Sequence, residues 1–225
     1  MTSTAPTIVF DLDGTLVESA PDLVGALTAA LAAENLPPIA EAEVRAMLGA
    51  GARALVERGL NAAGVTLPEP RVLELYRVFL DHYDAHMADR SHLFPGAEAA
   101  LDRLAGRGAR LAVCTNKLER FAVKLLGALG AADRFGAIVG GDTFGVAKPD
   151  AAPVLGAIRA VGGDPARAAM IGDSATDVAA AKAAGIPCVV MSFGYTPVPA
   201  RELGGDVVID HFDELDGALA RLGLV

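Results

Sequence analysis

The chain has 225 residues, enough to bury one large hydrophobic core or two smaller ones, and a net charge of −9. With 19 basic against 28 acidic residues it has no basic stripe for a phosphate backbone, which argues against a nucleic-acid partner but leaves a small anionic substrate open. No apolar stretch approaches the roughly 20 residues of a membrane span, and the first residues lack a signal peptide's basic and apolar regions, so we expect a cytoplasmic protein with no membrane partner.

The first predicted element is a buried strand over residues 7–10, an apolar run followed by Asp11 and Asp13. Gly14 breaks this strand, so both carboxylates emerge at its C-terminal end, where ligands bind in an open α/β sheet. Alternation along the strand puts the two side chains on one face, roughly 6.5 Å apart along the chain. Carboxylates that close repel each other unless a cation or a shared proton offsets the repulsion. The pattern therefore predicts a metal site, an acid–base role, or both.

A helical pattern without strands follows over residues 17–90. Ser19 is expected to cap the first helix, and an apolar stripe over residues 71–88 predicts a helix that packs against its neighbours. Gly49 and Gly51 interrupt the helical run between them, either as a plain helix break or as a loop that offers backbone amides to a small anion. An insertion at this point of the chain lies over the ends of the strands, which suggests a lid.

From residue 94 onward, predicted helices and strands alternate. The strands are expected at residues 110–115, 137–140, 168–171, 187–191 and 207–210, and the helices at 97–105, 119–129, 151–161 and 177–184. Cys114 and Cys188 fall in two of these strands and are expected to be unpaired, as in a reducing compartment. The alternation predicts an α/β fold: a doubly wound, Rossmann-like parallel sheet core made of residues 1–16 and 91–225, with an all-helical cap, residues 17–90, inserted.

Three further polar motifs end at the same edge of the predicted sheet as the two aspartates. They contain Thr115 with Asn116, Lys148 before a proline, and Asp173 with Asp177. Each has an ordinary alternative, because hydroxyl, amide and carboxylate groups cap helix N-termini and most lysines are solvated. The coincidence of all of them at strand ends favours one shared site.

The order of these motifs resembles the haloacid dehalogenase superfamily with a helical cap inserted after the first strand, and the resemblance covers essentially the whole chain. It rests on D-x-D-G-T at 11–15, T-N at 115–116, K-P at 148–149 and G-D-x-x-x-D at 172–177. Within the superfamily, residues 10–23, 113–117 and 140–144 are similar to the phosphoglycolate phosphatase family.

The resemblance implies a Mg²⁺-dependent phosphomonoester hydrolase, most simply one that converts 2-phosphoglycolate to glycolate and phosphate. Asp11 would be the nucleophile that forms an aspartyl-phosphate, and Asp13 would protonate the leaving alkoxide and then take a proton from water. Mg²⁺ would be held by the side chains of Asp11 and Asp173 and by the backbone carbonyl of Asp13.

The remaining motif residues would bind the phosphoryl group or support the site. Thr115 and Lys148 would hold the phosphoryl oxygens, with the Asn116 amide beside them. Asp177 would orient a metal-bound water or Lys148. The Gly49–Gly51 loop would contact the glycolate carboxylate.

Several alternatives remain open at the level of the sequence. Asp13 argues against a dehalogenase, and the absence of lysine from residues 17–90 argues against a Schiff-base phosphonoacetaldehyde hydrolase. Two other activities stay open: a β-phosphoglucomutase-like phosphotransferase, and a phosphatase for a larger sugar phosphate such as N-acetylmuramate 6-phosphate. Three of the arginines within residues 17–90 are either carboxylate partners or surface charges: Arg45, Arg53 and Arg58. Phospho-aspartate receivers are near half this length and have no cap, and a non-catalytic binding protein would be expected to lack one of the two aspartates. Monomer and homodimer are both compatible with the sequence.

Overall fold

The computed structural model describes residues 5–224. Within that range the strands are β1 (Thr7–Phe10), β2 (Val17–Glu18), β3 (His92–Leu93), β4 (Arg110–Cys114), β5 (Ala137–Val139), β6 (Ala168–Gly172), β7 (Cys188–Met191) and β8 (Val207–Ile209). The α-helices are α1 (Ala20–Ala32), α2 (Glu41–Arg45), α3 (Ala52–Ala62), α4 (Glu69–His86), α5 (Ala97–Gly106), α6 (Glu119–Ala128), α7 (Ala151–Ala160), α8 (Ala175–Ala184) and α9 (Leu215–Arg221).

Six strands form one parallel sheet in the order β5-β4-β1-β6-β7-β8. The sheet is buried on both faces, and alternate residues of β1 serve opposite faces. Ile8 and Phe10 pack into the larger core with α5, α6 and α9, whereas Val9 packs into the second core with α7 and α8. The α/β doubly wound fold predicted from the sequence is thereby confirmed, and β1 lies at its centre.

Helices α1 to α4 stand between β2 and β3 and are called the helical insert below. Helix α4 packs against α1 and α3 through the stripe that its sequence predicts, with Leu75, Phe79 and Tyr83 buried. The helix spans Glu69–His86, two residues earlier at each end than the predicted range of 71–88. Pro68 and Pro70 explain the earlier start, since proline suits the first turn of a helix.

The expectation that no strand lies within residues 17–90 is wrong, because β2 pairs antiparallel with β3. Gly14, with φ at 84°, reverses the chain directly after β1, and its amide donates to the carbonyl of Val17 at 3.0 Å. The two stems that lead into and out of the helical insert therefore run side by side and bond to each other. A pairing of two residues is too short to leave a period-2 pattern in the sequence.

Two predictions from composition can be compared directly with the described residues. Both Cys114 in β4 and Cys188 in β7 are buried and free, as expected. None of the helices found in residues 5–224 has the length and apolar character needed to cross a membrane.

Candidate active site

The site is built on the carboxyl ends of three neighbouring strands, β4, β1 and β6. The first residue after each strand is polar and buried: Thr115, Asp11 and Asp173, respectively. Backbone bonds extend the ladders to the first two, since the Asp11 amide donates to Ile171 at 2.8 Å and the Thr115 amide donates to Val139 at 2.9 Å. The parallel strands thus bring these three polar side chains to one edge of the sheet, as their positions in the sequence predict.

Three carboxylates crowd together at this edge. One oxygen each from Asp11, Asp173 and Asp177 lies within 4.8 Å of the others, and all three residues are buried. Burial raises the pKa of Asp11 to about 6, with Lys148 opposing the rise and Asp177 adding to it. Burial, followed by repulsion from Asp177 and Asp11, raises the pKa of Asp173 well above its usual range. The folded protein therefore disfavours the ionised forms of Asp11 and Asp173, and a cation bound beside them would favour those forms.

Lys148 supplies one positive charge to this cluster. Its Nζ donates to Asp177 Oδ1 at 2.6 Å and lies 3.0 Å from Asp11 Oδ1. The approach to Asp11 lacks hydrogen-bond geometry, so Asp11 Oδ1 is a buried oxygen with no hydrogen-bond partner among the described residues. Three buried carboxylates against one ammonium, with one oxygen that accepts no hydrogen bond, fit the oxygen-rich ligand set that Mg²⁺ prefers.

Asp177 has both of the roles that its sequence position suggests. Its Oδ2 accepts from the amide and the hydroxyl of Ser174, while Ser174 Oγ accepts from the Asp177 amide. This reciprocal capping box starts α8 at Ala175, two residues before the predicted start. The other oxygen of Asp177 holds Lys148. Helix capping and orientation of the lysine are therefore performed by one side chain.

Asp13 points away from this cluster, toward the helical insert. Its Oδ2 lies 2.9 Å from Lys117 Nζ, and its Oδ1 accepts from Ser19 Oγ at 2.5 Å. Ser19 stands at the N-cap position of α1, but its side chain makes no cap bond. The prediction that Ser19 caps α1 is therefore right about position and wrong about the bond: the side chain is turned to Asp13, to which its hydroxyl donates, and accepts from no amide of the helix.

Asn116 joins three segments of backbone. Its Nδ2 donates to the carbonyls of Gly49 and Lys148, and its Oδ1 accepts from the Lys148 amide at 2.9 Å. Both side-chain amide hydrogens are therefore used, and the side chain fixes the Lys148 segment against β4 and against the helical insert. Binding of a phosphoryl oxygen by an amide of Asn116 stays a prediction.

Gly49 and Gly51 flank the tip of the helical insert that faces the sheet edge. Both have positive φ, 97° and 88°, which glycine adopts without strain. A Cβ on Gly51 would lie 3.3 Å from the carbonyl of Asn116, so the loop sits close to the core. Among the described residues, no acceptor bonds the amides of residues 49–54.

Three arginines of the insert are engaged by other groups of this chain. Arg45 binds Glu18 and Glu41, Arg53 binds Glu57 and Glu69, and Arg58 donates to the Met47 carbonyl. Two of the three are therefore ion-paired with glutamates, and the third is bonded to backbone.

Sequence reasoning missed three residues that shape the site. Lys117 binds Asp13, the Tyr83 hydroxyl accepts from Lys117 at 2.9 Å, and the Tyr195 amide donates to Asp173 at 2.7 Å. Lys117 follows Thr115 and Asn116 directly, and a charge beside a strand end is a signal that could have identified it. Tyr83 looks like one more apolar residue of α4, and no local pattern marks Tyr195.

A cavity of about 50 Å³ lies between the sheet edge and the helical insert. Asp11, Asp13, Thr115, Asn116 and Lys117 form its polar end. Its other walls are mainly apolar and come from the insert and from the start of α6: Leu23, Leu48, Gly49, Gly51, Ala52, Leu55, Phe79, Tyr83, Leu118 and Phe121. The cavity thus has Asp11 at its polar end and mainly apolar side chains around the rest of it.

Comparison with known proteins gives one consistent result. The sequence model of the family described as haloacid dehalogenase-like hydrolase matches residues 5–185. A protein of Caulobacter vibrioides named phosphoglycolate phosphatase is 50% identical over 216 residues, which cover 96% of this chain and 91% of that protein. A protein of the same name from Agrobacterium fabrum is 46% identical, with 96% and 92% covered.

Solved structures agree with these sequence relatives. The crystal structure of a predicted phosphoglycolate phosphatase from Haemophilus somnus superposes with a TM-score of 0.89 at 31% identity and covers 97% of this chain and 99% of that one. CbbY from Rhodobacter sphaeroides, solved in complex with phosphate, gives a TM-score of 0.79 at 28% identity, with 94% and 96% covered. The likeness extends over almost the full length of each.

Proposed function

Since the chain belongs to the haloacid dehalogenase-like hydrolase family and groups within it with proteins named phosphoglycolate phosphatase, we propose that it hydrolyses 2-phosphoglycolate to glycolate and phosphate. The observation that carries the proposal is the buried charge cluster at the ends of β4, β1 and β6. There Asp11 lies 3.0 Å from the ammonium of Lys148 and within 4.8 Å of the carboxylates of Asp173 and Asp177. Such a cluster is costly to fold and is characteristic of sites where charge is used in chemistry.

A divalent cation, Mg²⁺ by its preference for oxygen, is the proposed cofactor. The side chains of Asp11 and Asp173 and the carbonyl of Asp13 would hold it, and Asp177 would stay on Lys148. When bound, the ion offsets the negative charge that the nucleophile and the phosphate bring together. Thr15 Oγ1 and the Tyr195 amide already fix the two oxygens of Asp173, at 2.8 and 2.7 Å, which orients this ligand in advance.

Asp11 acts as the nucleophile in the proposed reaction. With its pKa raised to about 6, it is mostly ionised at neutral pH. An oxygen of its carboxylate attacks phosphorus, the bond from phosphorus to the ester oxygen breaks, and an aspartyl-phosphate forms. Water then attacks the phosphorus of this intermediate and releases phosphate, which restores Asp11.

Asp13 moves the proton in both half-reactions. It gives a proton to the departing ester oxygen and later takes one from the attacking water. Its bonds to Ser19 Oγ and Lys117 Nζ fix the carboxyl on the side of the site that faces the helical insert. The leaving group therefore departs toward the insert and the phosphoryl group stays over the sheet edge.

Lys148 and Thr115 bind the phosphoryl oxygens. Lys148 reaches the nucleophile with its ammonium and is held there by Asp177. The Thr115 oxygen accepts from the Lys117 amide at 3.2 Å, which leaves its hydroxyl proton free to donate to an oxygen of the substrate. Both donors neutralise charge that grows on the transferring group.

The helical insert acts as a substrate-specificity lid in this proposal, with residues 17–90 as a cap domain on a core of 1–16 and 91–225. Its tip is tied to the core through the bond from Asn116 to the Gly49 carbonyl at 3.2 Å. A cavity of about 50 Å³ suits a small leaving group better than an amino sugar. Arg53 is engaged by two glutamates, which disfavours a mutase-like phosphate clamp. Cytoplasmic location, and monomer or homodimer as the assembly, stay predictions.

Phosphate release from a panel of esters tests the proposal. The wild type is assayed with Mg²⁺ and with EDTA on 2-phosphoglycolate, glucose phosphates and N-acetylmuramate 6-phosphate, with Asp11→Asn as the inactive control. We expect kcat/KM for 2-phosphoglycolate to lead the panel by tenfold or more, about 1.4 kcal/mol. Another leading ester would change the substrate and keep the mechanism. Equal, negligible release by wild type and variant would refute the enzymatic function.

A further inference from the structure

Lys117 lines the cavity, and the proposed chemistry uses it only to fix the carboxyl of Asp13. Its side chain is only 5% exposed, although it carries a full charge. The ammonium lies 4.4 Å from the centre of the Tyr83 ring and donates to the Tyr83 hydroxyl. Attraction to Asp13 and Tyr83 outweighs the burial that opposes it and raises the pKa of Lys117 above its usual range. The lysine is thus kept charged inside a mostly apolar cavity.

The ammonium has a donor to spare. A lysine ammonium carries three N–H groups, and the hydrogen bond to Tyr83 and the ion pair with Asp13 engage at most two of them. The described residues provide no acceptor for the third. Because Lys117 lines the cavity together with Leu23 and Phe79, this donor is available to a group that enters the cavity.

Lys117 is also the only positively charged residue among the described residues that line the cavity. Residues 17–90 contain no lysine, and the nearby arginines are bound to glutamates or to backbone. An anionic leaving group in this cavity therefore meets one cation and otherwise mostly apolar walls. An unpaired carboxylate there would carry a large desolvation cost.

Geometry connects this cation to the chemistry. The ester oxygen of a substrate must come within hydrogen-bond reach of Asp13, about 2.6–3.2 Å, to receive its proton. Lys117 Nζ lies 2.9 Å from Asp13 Oδ2. A carboxylate separated from the ester oxygen by a single methylene group therefore falls within reach of the lysine.

We propose that Lys117, supported by the Tyr83 hydroxyl, binds a carboxylate on the leaving group and selects phosphate esters of short 2-hydroxy acids over neutral esters of the same size. The inference rests on the proposed function and adds the residue that determines its substrate class. Lys148 would bind the phosphoryl end of the substrate and Lys117 the acid end, one on each side of Asp11 and Asp13.

The test compares two esters that differ in one charge, 2-phosphoglycolate and its amide, 2-phosphoglycolamide. For the wild type we expect kcat/KM to favour the acid by tenfold or more. Lys117→Met also disturbs Asp13, so both rates fall, and the informative quantity is the ratio of the two kcat/KM values. That ratio should fall at least tenfold in Lys117→Met and recover in part in Lys117→Arg, which keeps the charge.

Lys124→Met is the matched control, because it removes an exposed lysine of α6 that binds Asp84 of α4. It should keep the wild-type ratio. Competition on the wild type alone gives a second measurement that does not depend on how a variant folds: glycolate should inhibit at least tenfold better than glycolamide.

The outcomes separate the two ideas. An equal loss on both esters in Lys117→Met, or a wild type that treats acid and amide alike, overturns the role of Lys117 while phosphatase activity stands. In that case the free amides of residues 49–54 become the better place for the carboxylate. A wild type that hydrolyses neither ester but releases phosphate from another one refutes the proposed substrate, and the inference with it.

Discussion

Replacing Asp11 by asparagine should stabilise the metal-free protein while it abolishes turnover. Asparagine has nearly the same shape as a protonated aspartate, so the variant resembles the uncharged form of the site. In the wild type, ionising this carboxyl is unfavourable because it is buried and lies near Asp177 and Asp13, and attraction to Lys148 offsets only part of that free energy. Removing the charge therefore removes a penalty from the folded state.

The size of the effect follows from the pKa. A rise from the usual 3.8 to about 6 corresponds to about 3 kcal/mol at pH 7, at 1.36 kcal/mol per pH unit. Between those two pKa values the folded state binds more protons than the unfolded one, so wild-type stability falls as the pH rises and levels off above about pH 6. The advantage of Asp11→Asn should thus be about half as large at pH 5 as at pH 7.

Urea unfolding in EDTA, monitored by circular dichroism at pH 5, 6, 7 and 8, measures this difference. In thermal melts at pH 7 an advantage of about 3 kcal/mol corresponds to roughly 6–12 °C for a chain of this length. Asp133→Asn is the control, because Asp133 is exposed and has no ion pair among the described residues. If Asp11→Asn is no more stable than wild type at pH 7, or its advantage does not change with pH, the assignment of a strained, ionised Asp11 is refuted.

Three further predictions concern the groups around the cluster. Mg²⁺ added after EDTA should raise the wild-type melting temperature, because at one hundred times its Kd a bound ligand adds about 2.7 kcal/mol to the free energy of unfolding. The variant Asp173→Asn should lose most of that rise. An equal rise in wild type and variant would argue against Asp173 as a ligand. Lys148→Met should cost about 3–5 kcal/mol in urea unfolding, because it leaves buried carboxylates without their counter-charge, and an unchanged midpoint would contradict the burial of this pair. Tyr195→Phe removes the hydroxyl that accepts from the amides of Ser19 and Ala20. It should lower the free energy of unfolding by about 1–3 kcal/mol and speed hydrogen exchange at both amides. Unchanged exchange would contradict these two hydrogen bonds.

The sequence predicts the sheet edge well because three of the polar motifs follow directly on an apolar strand. In a parallel sheet that placement alone brings Asp11, Thr115 and Asp173 together, without knowledge of any side-chain conformation. The same holds for the alternation of buried residues in β1, which fixes the two faces of the sheet. Their roles in catalysis stay predictions.

Contacts between the helical insert and the core could not be predicted in this way. Lys117 meets Tyr83 across 34 residues and Tyr195 meets Ser19 across 176, and no periodic pattern encodes such pairings. Ser19 adds a second difficulty, since its sequence position predicts a helix cap, whereas its hydroxyl donates to Asp13 six residues earlier. The side chain of an N-cap serine thus takes another local hydrogen bond instead of accepting from its own helix.

The two buried lysines of the site differ in which part of the chain supplies their partners. The ammonium of Lys148 is held by Asp177 and Asp11, which belong to the sheet edge and α8 of the core. Lys117 also belongs to the core, but its hydroxyl partner Tyr83 belongs to α4 of the helical insert. If the two lysines bind the two ends of the substrate as proposed, a change at residue 83 would alter which leaving group is accepted and would leave the ion pairs of Lys148 in place. Substrate preference would then depend on the groups near residue 117, and the proposed chemistry at Asp11 would not.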